Sequence, residues 1–138
     1  MNEIDAALVS RLEGDEENLM ALIKGVWNTR APDDATYPLL LFQLVSGDAD
    51  AYTLGQRVSS SMTYQFRIVD EQTPTTISFT EIKTAIARVD VLLTDFAMTV
   101  SPKTLWKMRR ERPARQWADQ VANIVYVNVL AEFAIEVA

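Results

Sequence analysis

Asp33 with Asp34, and Asp48 with Asp50, are the tight carboxylate pairs in stretches whose composition reads as loop. Such pairs can divide general acid and base work, or supply oxygens to a calcium ion, when further groups converge on them. The chain offers little to complete that chemistry. It contains no histidine and no cysteine, which removes Ser-His-Asp triads, thiolate nucleophiles and zinc sites of the Cys/His type. Ser59-Ser60-Ser61 has neither elbow glycines nor a histidine base, so no nucleophile is assigned there. Aspartate also bonds its own backbone in turns, and that is the commoner role for both pairs. The sequence therefore assigns no catalytic residue, no cofactor and no metal ion.

A second cluster is cationic. Lys103, Lys107, Arg109, Arg110, Arg112 and Arg115 supply 6 of the 13 basic residues, with Trp106 among them and Trp117 just beyond. Cations interleaved with indoles can grip a phosphate backbone. The same run also suits a protein partner or a solvated hairpin tip, and no helix-turn-helix spacing, aromatic RNA-binding motif or glycine-rich phosphate loop accompanies it. A formal net charge of -6 argues against general nucleic-acid affinity and leaves room for a local patch. The acids gather at the other end: residues 1 to 20 hold Glu3, Asp5, Glu13, Asp15, Glu16 and Glu17 against Arg11 alone. Trp117 and Tyr126 are candidate anchors for an interface, because large aromatic side chains with one polar atom suit such contacts.

The elements that must position these residues follow from period and punctuation. Asn2 can cap a helix carrying Ile4, Ala7, Leu8 and Leu12, which Gly14 ends. Asp15 is the expected N-cap of a second helix with Leu19, Leu22 and Ile23 on its buried stripe, ended by Gly25. Arg30 to Phe42 runs from a polar loop through Pro38 into Leu39-Leu40-Leu41-Phe42. Proline lacks an N–H and extends the residue before it, so it suits the entry to a strand. Asp33, Asp34 and Tyr37 project from that stiffened loop.

A strand to Ser46, a polar loop over Gly47 to Gln56 and an alternating strand over Ser59 to Val69 come next. Ser78 and Glu81 have capping-box spacing ahead of a helix bearing Ile82, Ile86, Val89, Leu92, Leu93 and Phe96. Short strands over Met98 to Val100 and Thr104 to Arg109 precede the basic loop. A strand over Asn123 to Val137 closes the chain, with Val125, Val127, Val129, Ala131, Phe133 and Ile135 on one face. The order predicts an α+β fold in one domain over residues 1–138, an antiparallel or mixed sheet with helices packed mainly on one face. No apolar run approaches the ~20 residues of a membrane span, and the acidic N-terminus is unlike a signal peptide. A soluble product follows from that reading.

This layout resembles the tail completion, or tail terminator, proteins of long-tailed bacteriophages: two short helices, the proline-bounded Arg30 to Phe42 segment, the alternating Met62 to Val69 strand, the Phe79 to Phe96 helix and an alternating final strand. The resemblance implies a non-enzymatic virion protein, made in the host cytoplasm, that forms a ring, often hexameric, capping the tail tube and joining it to the head connector. It implies homo-oligomer contacts together with contacts to tail tube and connector proteins, and transient contact with DNA in the channel. On that reading Asp33, Asp34, Tyr37, Lys107, Arg109, Arg110, Arg112, Arg115, Trp117 and Tyr126 are the candidate interface residues. Another neck or minor tail component, or a cytosolic adaptor, is the alternative.

Overall fold

A computed structural model describes the backbone of residues 2–53, 56–75, 77–94, 98–100 and 103–137, and the side chains of 5–45, 63–75, 77–94, 108–110 and 112–135. Helix α1 (Asn2–Glu13) and the single turn α2 (Leu19–Leu22) come first. Then follow β1 (Val26–Asn28), β2 (Leu39–Thr53), β3 (Gln56–Gln72), α3 (Thr80–Leu93), β4 (Met98–Val100), β5 (Lys103–Val121) and β6 (Ile124–Val137). The strands form one sheet in the order β1-β2-β3-β6-β5-β4, antiparallel except that β1 runs parallel to β2. The fold is α+β with a mixed sheet, as the element order predicts.

The helices share one face. Leu8, Leu12, Leu19, Ile82, Val89 and Leu93 meet Leu40, Phe42, Phe66, Ile68, Val127 and Phe133 in a continuous core. Alternation in β6 explains the division, since Val125, Val127, Val129, Ala131, Phe133 and Ile135 all point to the helix side. Phe66 stacks on Phe42 at 5.9 Å and meets Phe133 edge-on at 5.6 Å, both favoured ring geometries. Tyr64 lies in the same layer, and its hydroxyl donates to Asp5 of α1 at 2.7 Å. Burial first, then that carboxylate, pushes the Tyr64 phenol well above its ordinary pKa.

The helix layer differs from the sequence expectation at its ends. The second helix shrinks to Leu19–Leu22, because residues 16–18 form turns. Asp15 still accepts the Leu19 N–H at 3.0 Å, and its carboxylate binds Arg88 of α3 through Nε at 2.7 Å and Nη2 at 3.0 Å. Helix α3 starts at Thr80, and no reciprocal capping box forms. Gln72 occupies Ser78 instead: its side-chain oxygen accepts the Ser78 N–H and its amide donates to the Ser78 carbonyl, each at 2.6 Å. Phe96 lies outside the described residues.

Two expected loops are strands. Residues 47–53 continue β2, with register shifts at Leu44/Ser46, Ser46/Ala49 and Ala51/Tyr52. The side chains of Asp48, Asp50 and Ser59-Ser60-Ser61 lie outside the described set. The larger correction is the basic run, which is no loop: Arg109 to Arg115 sits in mid-strand in β5. Beyond residue 105 no strand pairs with the outer edge of β5 among the described residues. An edge strand leaves its charges in water, so it does not show the apolar alternation that marks a central strand. Pro113 falls between Arg112↔Glu132 and Arg115↔Leu130, where the register shifts. Its missing N–H costs the ladder little at such a bulge.

Candidate functional site

The parallel return from β1 to β2 places the site. Parallel neighbours cannot join through a tight turn, and residues 29–38 make the connection by passing over the face that the helices leave bare. Thr29 starts the turn with φ of 65°, uncommon for a β-branched residue. Three bonds hold it: its N–H donates to the Phe42 carbonyl at 2.7 Å, its hydroxyl donates to Asn28 Oδ1 at 2.9 Å, and Asn28 Nδ2 donates to Asp5 at 3.0 Å. The loop then turns at Pro32, whose carbonyl accepts the Ala35 N–H at 3.0 Å. As expected, Pro38 directly precedes a strand.

Between this loop and the turn end of the β5–β6 hairpin lies an open cleft of about 530 Å³. The loop contributes Arg30, Asp33 and Tyr37, the sheet contributes Arg67 and Asn128, and the hairpin contributes Asp119, Val121 and Tyr126. The rings of Tyr37 and Tyr126 stand 5.9 Å apart at 52°. Burial raises the Tyr37 pKa, with Tyr126 and Glu71 adding to the effect. Asn128 is the one buried polar residue among those described, and it donates to the Tyr126 carbonyl at 3.1 Å. A smaller hollow of about 120 Å³, lined by Thr29, Leu41, Gln43 and Gln65, adjoins on the other side of Arg67.

Of the residues proposed from sequence, the structure brings Asp33, Tyr37 and Tyr126 into this one cleft. Asp33 is held by Arg30 at 3.5 Å, both side chains being in water. Asp34 is exposed and does not line the cleft. Trp117 is next along the same face, its indole N–H donating to Asp119 at 3.0 Å. The arginines disperse. Arg110 is paired with Phe133 and reaches Asp90 of α3 at 3.5 Å on the helix side, while Arg112 lies 3.9 Å from Glu132 on the other face. Arg109 and Arg115 are exposed opposite Ala134 and Leu130. The side chains of Lys103, Trp106 and Lys107 lie outside the described set. An extended strand therefore spreads the described arginines over two faces, and among the described residues they form no single cationic tip.

Sequence reasoning missed Arg67 and Asn128. Alternation puts Arg67 on the polar face of β3, but only the strand order reveals that Leu41 and Leu130 flank it. Among the described residues no group of three or more His, Cys, Asp or Glu could hold a metal ion. None of the described helices is long and apolar enough to cross a membrane. The cleft is open and brings together two tyrosines, Arg30 and Arg67, Asp33 and Asp119, and apolar surface.

No family model matches the chain, and no curated protein matches it. The fold does recur among solved structures. A chain from the virion of a native gene transfer agent particle aligns with a TM-score of 0.62 at 22% identity, over 97% of this chain and 95% of that one.

Proposed function

We propose that this protein is a non-enzymatic structural component of a phage-like virion, a tail terminator that forms a ring at the head–tail junction, caps the tail tube and joins it to the head connector. The observation that carries this reading is the end-to-end fold likeness to a virion chain, which leaves almost no residue of either chain unmatched. The proline-bounded Arg30 to Phe42 segment supports it from the sequence side. So does a chemistry without histidine or cysteine whose largest concavity among those described is open and aromatic. A ring needs surfaces on opposite sides of the subunit, and here a helix layer rich in acid stands against a sheet whose edge strand β5 is basic.

Negative-stain electron microscopy of the purified chain, with light scattering for mass, tests the reading. Closed rings with a central hole are expected, and a chain that stays monomeric at high concentration counts against it. Reversal of Arg109, Arg110 and Arg112 to Glu is expected to weaken ring formation at low salt. Unaffected assembly would remove β5 from the subunit contact.

A further inference from the structure

Among the described residues, the bare face of the sheet holds a cation without a counter-ion. Arg67 is partly buried between Leu41 and Leu130. Its guanidinium carries five N–H donors, and among the described residues no hydrogen bond or ion pair engages it. At the other border of the same cleft the β5–β6 turn presents apolar side chains to water: Val121 is 61% exposed and Ile124 36%. Turns ordinarily carry polar residues. This surface is thus an apolar knob beside a cation.

The helix layer carries the converse. Between α2 and α3 runs an open groove of about 420 Å³, lined by Ala21, Leu22, Ala87 and Val91, the last 63% exposed, and by Arg88, whose charge is taken up by Asp15. Glu17 stands at its rim, exposed, with Glu16 exposed beside it. Among the described residues neither glutamate has an ion-pair partner. This second surface is an apolar hollow beside an anion.

We infer that the two surfaces meet between copies of this chain: the Val121–Ile124 turn of one copy seats in the α2–α3 groove of the next, and Glu17 there reaches Arg67. The inference rests on the ring reading and supplies its subunit contact. A second copy fits better than nucleic acid, because Asp33 and Asp119 offset the two arginines of the cleft, which leaves no cationic excess for a polyphosphate, and because the knob is apolar. The contact joins unlike surfaces, so it is heterologous and closes into a ring when the rotation allows.

Sedimentation velocity of the full chain across a concentration series tests it, with circular dichroism as the check on folding. Val121→Asp and Val91→Asp change exposed positions, and each is expected to weaken self-association by about tenfold or more, as Arg67→Glu should by stranding a desolvated charge. Combining Arg67→Glu with Glu17→Arg is expected to recover most of that loss. Rings that persist in both valine variants overturn this contact and leave the ring reading standing, whereas a wild-type chain that never assembles overturns both. Loss of duplex-DNA binding by Arg67→Glu with assembly intact would assign the cleft to nucleic acid and overturn the proposal.

Discussion

Asp15 shows how much one side chain can organise. Its carboxylate ties the α1–α2 corner to α3 by taking two bonds from Arg88 and the Leu19 N–H. The Arg88 guanidinium is the main cause that lowers its pKa from 3.8 to about 2. Because the folded value lies below the unfolded one, the unfolded chain takes up the proton first as pH falls. The pair therefore contributes fully above pH 3.8 and is lost as pH drops to about 2. Asp15→Asn is expected to cost about 1 kcal/mol at neutral pH, given that Arg88 is partly solvated. Urea midpoints of the two proteins measured down that pH range should converge; a constant gap would show that the ion pair is not its source. Asp15 was legible as a helix-start residue from its place before Glu16-Glu17, but its partner was not. Arg88 lies 73 residues away, and spacing carries no trace of a contact that only the fold creates.

Strands declare themselves when one face is buried and the other is wet. Hence β3 and β6 were readable from alternation, β2 was readable from Pro38 to Ser46, and α3 from its 3.6-residue stripe. The miss at β5 has a different physics. Water already solvates one edge of that strand, so six of its residues from Arg109 to Arg115 could be charged or proline without harming the core. The hairpin turn beside it is also under local strain, for Ala122 adopts φ of 55°. A left-handed conformation costs a residue with a Cβ about 1–2 kcal/mol, part of which glycine's larger unfolded-state entropy takes back. Ala122→Gly is expected to raise stability by about 0.5–1 kcal/mol. Thermal unfolding checks this, and a lowered midpoint would mean that the alanine methyl is needed for packing. The candidate cleft was half legible for the same reason: Asp33 and Tyr37 announce themselves on a proline-stiffened loop, whereas Arg67 matters only through the strands on either side of it.

Charge is segregated across the whole molecule. Helix α1 and the turn leading to α2 hold Glu3, Asp5, Glu13, Asp15, Glu16 and Glu17 against Arg11, while β5 sets six basic residues against Glu111 and Asp119. Separation of this kind favours head-to-tail approach and weakens once the screening length falls from about 10 Å at 0.1 M salt to about 3 Å at 1 M. Assembly followed by sedimentation is therefore expected to shift toward smaller species over that salt range. An unchanged or strengthened association would make the contact essentially apolar. The bulge at Pro113 bears on how such an assembly can end. A long bare edge invites copy after copy to zip on, ladder upon ladder, which is the route to fibres. Here β5 carries Arg109, Arg110, Arg112 and Arg115 around a bulge at Pro113, and charges and bulges make a bare edge a poor template for a neighbour's strand. An edge built in this way disfavours the open-ended addition of strand upon strand.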